Sequence, residues 1–330
     1  LARAHPDRPP QEAARGLVFA SGMAAITAGI LARVKGGQTI IAQERLYSAT
    51  FNFLHDLAPQ YGIQVAWVCE GHPEDWEAAF AAHPNAALAY VETPVNPTLS
   101  IIDLAAVAEI AHRHGAWLMV DNTFATPYCQ RPLTLGADIV AHSTTKYLSG
   151  HGQVIGGAVV SRHPDYVSGP LTQMFRILGG CPSPFDAWLA NTGLKTFELR
   201  MQRTCENALR VARFLQNHPQ VERVYYPGLE SHPDHALAMR QMTNGGPMMS
   251  FELKGGYQAG VALMERVRIA TLAVSLGNVD TLISHPASMT HSNVPPESRC
   301  QMGISDGLVR YSVGIENADD LISDLDQALS

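Results

Sequence analysis

Short apolar runs alternate along the chain with stretches in which apolar residues recur at helical spacing. The runs predict strands near 39–43, 64–68, 87–92, 117–121, 138–142 and 156–160. The helical pattern predicts helices near 23–34, 49–58, 74–82 and 103–114, the last opened by Asp103 as a capping residue. Strands and helices in alternation imply a mostly parallel sheet covered by helices. Beyond Pro184 the texture changes. Asp186 to Asn217 reads as one long amphipathic stretch, and strands at 221–225, 248–254 and 308–313 follow, with helices near 257–267 and 317–329. This predicts an α/β large domain over 1–197 and a smaller α+β domain over 198–330. The proline- and hydroxyl-rich segment 285–300, with Pro295 and Pro296, reads as a loop long enough to be functional.

Gly16 to Ala32 carries no charge and approaches the length of a membrane span. Its interspersed Gly16, Ser21, Gly22, Thr27 and Gly29 favour a strand, a tight turn and a buried helix instead. The proline-rich start mixes Asp7 and Glu12 with its arginines and lacks the short basic region of a signal peptide. With 330 residues, 46% hydrophobic and 16% charged, the composition is that of an ordinary globular protein. A net charge of −7, with lysine and arginine scattered, gives no footprint for nucleic acid. Five widely spaced cysteines (Cys69, Cys129, Cys181, Cys205, Cys300) point to thiols in a reducing cytoplasm. Fourteen histidines bring a metal into consideration, but no His-Glu-x-x-His pattern or acid–histidine cluster occurs, and no metal is expected.

Chemistry concentrates around Lys146, in Ala-His-Ser-Thr-Thr-Lys-Tyr-Leu-Ser-Gly-His-Gly (141–152), and Asp121, which ends the apolar run 117–120. An acid at the carboxyl end of a buried strand, followed by a lysine among small hydroxyl residues, is what pyridoxal 5'-phosphate requires. The amine forms a Schiff base with the aldehyde, and the acid keeps the pyridine nitrogen protonated. A solvated lysine, and a helix cap or metal ligand at Asp121, are the plainer readings. Ser21-Gly22-Met23 precedes a helix, where glycine allows close approach and free amides favour an anion. No Gly-x-Gly-x-x-Gly or Walker pattern supports a nucleotide. Ser143 and Thr145 flank the lysine and could reach the same phosphate. Tyr47 opens a helix and could stack on a planar ring or transfer a proton, or simply fill a core. Asn96, between Pro94 and Pro97, projects from the carboxyl edge of the sheet. Arg310 interrupts an apolar strand and wants a carboxylate, from a ligand or from the chain itself.

Together the stretches 20–25, 92–97, 120–123, 141–152, 274–277 and 307–314 resemble the Cys/Met-metabolism family of pyridoxal-phosphate enzymes, from about Gly16 to the end of the chain. The resemblance implies the aspartate-aminotransferase-like fold (fold type I). It implies Lys146 as the cofactor lysine and proton shuttle, Asp121 as pyridinium partner and Tyr47 as ring-stacking acid. Ser21, Gly22, Met23, Ser143 and Thr145 then surround the cofactor, and Arg310, Ser275 and Asn96 bind the substrate carboxylate. Segments 273–277 and 285–291 are similar to the methionine γ-lyase branch, with apolar Val274 where cystathionine-handling relatives carry glutamate. The implied reaction is γ-elimination of a sulfur amino acid, with L-methionine giving methanethiol, 2-oxobutanoate and ammonia. Ala49 replaces the branch's usual cysteine, and Phe175 and Arg176 stand where it carries a Lys-Asp pair. Cystathionine γ-lyase, and γ-replacement by a homoserine-ester sulfhydrylase or cystathionine γ-synthase, therefore stay open, with a non-catalytic α/β binding protein as the remote reading. The family begins with an arm that residues 1–15 do not resemble. It forms homotetramers, dimers of active dimers, so the expected partners are a small amino-acid substrate and copies of the chain, with no membrane or nucleic acid.

Overall fold

The computed structural model describes residues 14–330 except 70, 291, 293, 294, 296, 298 and 300–302. Residues 1–13, most of the stretch that does not resemble the family's arm, and most of 291–302 including Pro296 and Cys300, lie outside the described residues. The chain forms two compact units. One comprises the residues through Thr93, Ile102–Thr145 and Gln153–Thr192, and the other Pro94–Ile101, Lys146–Gly152 and Gly193–Ser330.

The first unit is built on a seven-stranded sheet. Its strands are β1 (Arg15–Phe19), β2 (Thr39–Gln43), β3 (Gln64–Val68), β4 (Ala86–Glu92), β5 (Trp117–Asp121), β6 (Ile139–Ser143) and β7 (Gly157–Ser161), in the order β1-β7-β6-β5-β4-β2-β3. Neighbours from β3 to β6 run parallel, and only β7 is antiparallel, to both β6 and β1. The mostly parallel sheet is as the alternating pattern predicts. The central strands β2 and β4 are buried along their whole length, which explains their unbroken apolar runs. Helices α1 (Gly22–Arg33), α2 (Ser48–Asn52), α3 (Pro73–Ala82) and α4 (Leu104–Arg113) connect them. The uncharged stretch 16–32 is β1, a turn and α1, and among the described residues no helix is long and apolar enough to cross a membrane. Asp103 caps α4, accepting from the Ala106 amide.

Several elements differ from the periodicity. The helix expected over 49–58 is α2 followed by a π-type turn (Phe53–Leu57) and a 3₁₀ turn (Ala58–Tyr61). Short helices α5 (Thr126–Cys129), α6 (Pro164–Tyr166) and α7 (Thr172–Ile177) carry too few turns, and too many prolines around them, to register as periodic. The amphipathic stretch 186–217 is two helices, α8 (Pro184–Leu194) and α9 (Phe197–Gln216). The break has a local cause: the Gly193 carbonyl accepts from the Thr196 amide and from the Arg200 guanidinium, which takes it out of the helical ladder.

The second unit holds a five-stranded sheet in the order β10-β11-β12-β9-β8, from β8 (Val221–Tyr225), β9 (Met248–Leu253), β10 (Thr271–Leu272), β11 (Leu282–Ser284) and β12 (Leu308–Ser312). All pairs are antiparallel except β10–β11. The pattern misses β10 and β11 because two or three residues are too short for alternation to emerge. Helices α9, α11 (Gly256–Arg266) and α12 (Ala318–Leu329) pack against this sheet and one another, while α10 (His235–Gln241) follows β8. Asp324 on α12 is buried, and its carboxylate accepts from the successive amides of Arg268, Ile269 and Ala270, just ahead of β10. Removing an acceptor that satisfies several amides leaves buried donors unpaired. Asp324→Ala is expected to cost about 3 kcal/mol of stability, read as a lower denaturation midpoint with an unchanged m-value.

Candidate active site

In the first unit the parallel strands deliver their carboxyl ends to one edge. Glu92, Asp121 and Ala141 lie side by side there as register partners on β4, β5 and β6. Asp121 is buried, 6% exposed. One of its oxygens, Oδ1, accepts from the Thr123 amide (2.9 Å) and the Thr123 hydroxyl (2.6 Å). No cationic side chain among the described residues pairs with it. Burial pushes its carboxyl above the usual range, while the two Thr123 bonds oppose that shift. The Thr123 hydroxyl in turn accepts from the Ser143 amide at 2.8 Å, so it ties the ends of β5 and β6 together.

Beside this acid lies the start of α1. Ser21 caps the helix through its side chain, accepting from the Ala24 amide. The amides of Gly22 and Met23 precede that bond and have no intrahelical acceptor. A Cβ on Gly22 would lie 3.0 Å from both Cβ and Oγ of Ser143, so only glycine lets these amides sit against that hydroxyl. The result is a cradle of two free amides, a hydroxyl and a helix dipole, suited to an anion. The Thr145 hydroxyl is committed to bracing the loop, donating to the Gly156 carbonyl and accepting from the Gly156 amide.

Tyr47 stands at the head of α2 with its side chain about half exposed. Its amide donates to Glu92 Oε2 at 2.8 Å, and the Glu92 amide donates to the Gln43 side chain at 3.0 Å. Burial, and then the charge of Asp121, push the Glu92 carboxyl up to about 8. Glu92, Gln43 and Thr123 were not singled out by sequence. The only signal was their position at the ends of buried strands. His142, on β6 next to Ser143, is buried, and burial lowers it to about 4, so it stays neutral.

The second unit carries Lys146, Asn96, Ser275 and Arg310. The peptide from Thr145 to Lys146 takes the chain into it. The Lys146 amine donates to the Ser275 hydroxyl at 2.9 Å and has no carboxylate partner among the described residues. Burial and the positive charge of Arg310 both lower its pKa, favouring the neutral, nucleophilic amine. Gly277 (φ +82°) lets its segment touch the lysine's backbone: a Cβ there would lie 2.6 Å from the Tyr147 amide nitrogen. Arg310, 8% exposed, donates to the carbonyls of Val274 (2.5 Å) and Ser275 (3.2 Å) and, at 3.5 Å, to Asn96 Oδ1. It has no internal ion pair with a described acid. A buried guanidinium held only by neutral oxygens keeps its full charge for an incoming carboxylate. Val274 is exposed. His285, from the segment 285–291, is structural: its ring spans the Ser288 hydroxyl and the Asp306 carbonyl, and His291 lies outside the described residues. Among the described residues no group of histidine, cysteine or acid side chains is disposed to hold a metal.

Pyridoxal 5'-phosphate carries an aldehyde, a basic ring nitrogen and a phosphate. A lysine amine and a buried acid that have no partner of opposite charge among the described residues, and an anion cradle that a Cβ would fill, fit these three groups. Fold and side chains define a pyridoxal-phosphate enzyme of fold type I. The chain belongs to the Cys/Met metabolism PLP-dependent enzyme family, whose model matches residues 11–330. It is 51% identical over 311 residues to an L-methionine gamma-lyase of Porphyromonas gingivalis, covering 94% of this chain and 77% of that one. An L-methionine gamma-lyase of Fusobacterium nucleatum subsp. nucleatum is 46% identical over 320 residues, covering 97% and 80%. Among solved structures, a cystathionine gamma synthase from Xanthomonas oryzae pv. oryzae in complex with aminoacrylate and cysteine superposes with a TM-score of 0.91 at 44% identity, over 95% of this chain and 80% of that one.

Two expectations follow. Thr123→Val removes a donor to Asp121 and an acceptor for Ser143 while keeping shape. Titration of cofactor-stripped protein should show cofactor affinity weakened roughly tenfold or more, the loss expected for a hydrogen bond to a charged group. Because Glu92 is raised in the folded protein, its stability contribution is full below pH 4.5, its ordinary value, and is lost as pH rises toward about 8. Glu92→Gln keeps the acceptor for Tyr47 and removes the titration. Its melting temperature relative to wild type should therefore climb from pH 5 to 8.5, and a flat difference would contradict the assigned burial.

Proposed function

We propose that the protein catalyses γ-elimination of a sulfur amino acid, with L-methionine and water giving methanethiol, 2-oxobutanoate and ammonia. The observation that carries this reading is the pair of basic side chains in the second unit, Lys146 and Arg310, held among the described residues by neutral oxygens, with exposed, apolar Val274 next to Ser275. An α-carboxylate supplies the charge that Arg310 lacks, with Asn96 and Ser275 beside it. A thioether tail suits Val274 better than a charged distal group would. Similarity to L-methionine gamma-lyases supports the same choice.

In this reading Gly22, Met23 and Ser143 hold the cofactor phosphate in a frame braced by Ser21 and Thr145. Asp121 would keep the ring nitrogen protonated, and Lys146 would supply the amine for the aldehyde. Bound there, the cofactor supplies an electron sink for carbon acidity next to the substrate amine. Lys146 Nζ, whose pKa burial and the charge of Arg310 lower, would take the α-proton and move the second proton from Cβ. The Tyr47 hydroxyl, free of described protein partners, gives a proton to the departing sulfur. Thr123 keeps Asp121 aimed, and Glu92 keeps Tyr47 at the head of its helix.

A second reading, γ-replacement on an activated homoserine ester, is favoured by the close superposition on a cystathionine gamma synthase. We further propose a cytoplasmic homotetramer, a dimer of active dimers. The exposed Ile177, Leu178, Phe185 and Trp188 offer the apolar surface that such an assembly covers.

Lys146→Ala should lose the visible absorbance band of the lysine-bound cofactor and drop turnover by at least about 10³-fold. Product analysis with methionine, cystathionine and O-acetylhomoserine plus sulfide separates the two readings. Faster thioether formation from the ester than 2-oxobutanoate release from methionine would overturn the lyase assignment.

A further inference from the structure

Segment 94–101 follows β4 and carries Asn96. Its backbone closes on itself, with the Val95 amide donating to the Ser100 carbonyl (3.0 Å) and the Leu99 amide to the Val95 carbonyl (2.6 Å). Leu99 sits at φ +57°, a left-handed conformation that a leucine holds only when its surroundings over-determine it. Those surroundings come from parts of the second unit far away in sequence. The Ser250 hydroxyl donates to the Pro97 carbonyl at 2.7 Å. The Ile101 amide donates to Asp234 Oδ2 at 2.9 Å. His232, buried, hydrogen-bonds the backbone of Thr98. The Asp234 amide donates to His232 Nδ1 at 3.1 Å, which leaves the ring hydrogen on Nε2. The segment is thus held at Pro97, Thr98 and Ile101.

The sheet register makes this more than general bracing. Ser250 on β9 and Arg310 on β12 are direct cross-strand partners. One of the pair grips Pro97, and the other reaches Asn96, the residue before it. The Arg310–Asn96 contact is 3.5 Å long, at the limit of a hydrogen bond, so a shift of a few tenths of an ångström decides whether it exists. Nothing else described fixes the Asn96 side chain.

We propose that Asp234 and Ser250, with His232 between Asp234 and Thr98, are positioning residues that set Asn96 against the Arg310 guanidinium and so determine affinity for the substrate carboxylate. None of them touches substrate. The inference rests on the reading of Arg310 and Asn96 as the carboxylate site. It predicts a selective effect: ligands bearing a carboxylate weaken, and ligands that offer only an amine do not. A purely structural role would weaken both alike.

The test titrates glycine and methylamine against the visible band of the holoenzyme. Both supply an amine, and only glycine has a carboxylate. In Asp234→Ala the apparent Kd for glycine should rise five- to tenfold, with methylamine changed less than twofold. With the sulfur amino acid, KM should rise by a similar factor while kcat stays within twofold. Asp234→Asn, which keeps an acceptor oxygen for the Ile101 amide, should restore most of the glycine affinity. Ser250→Ala, nearly isosteric, should reproduce the glycine-selective loss and serves if Asp234→Ala folds poorly. Equal weakening of both ligands, or no weakening of either, in folded variants overturns the proposal. A wild-type band that responds to neither amine sinks the proposed function itself, and this inference with it.

Discussion

Two buried side chains, Asp121 and Arg310, and the partly buried Lys146 have no partner of opposite charge among the described residues. Asp121 has a hydroxyl and an amide but no cation, Lys146 a serine, and Arg310 carbonyls and an amide side chain. Folding alone gains nothing from this, because a charge moved out of water costs energy unless it is paired. The cost is tolerable only if ligands bring the opposite charges. A protonated ring nitrogen and a carboxylate would do so for Asp121 and Arg310, while an aldehyde would take up the Lys146 amine covalently.

In the first unit the aiming depends on where strands stop. Parallel strands in register place Glu92, Asp121 and Ala141 side by side, with Ser143 two residues beyond on β6, along one edge without any loop having to find them. Two carboxyl groups so near to each other do not both ionise readily, and the protein keeps Asp121 the better solvated of the two through Thr123. Glu92 takes the proton and serves as a neutral bracket for the amide of Tyr47. One acid is thereby prepared for charge and its neighbour for shape.

Much of this was legible in the residues. The strands of the first unit emerged to within a residue or two because buried parallel strands are continuous apolar runs, and residue type and spacing drew attention to Lys146, Asp121 and the Ser21-Gly22-Met23 turn as candidates. What stayed hidden was long-range. Nothing in the composition pairs Thr123 with Ser143, or Asp234 with Ile101, since those contacts depend on which strands are neighbours. The break at Lys195–Thr196 was equally invisible, because Arg200 competes for a carbonyl that periodicity assigns to a helix. The hydroxyls of Tyr47 and Thr145 differ in setting: that of Tyr47 has no partner among the described residues, and that of Thr145 is engaged with Gly156.

Asp324 has a reach beyond its own helix. By gathering the amides of residues 268–270 it fixes the point from which the chain enters β10 and then runs through Val274 and Ser275 to Gly277. The hydroxyl that holds the lysine amine is therefore anchored by the last helix described. Shortening the polypeptide ahead of residue 324, or attaching a fusion that frays that helix, would loosen the reactive amine from a remote position.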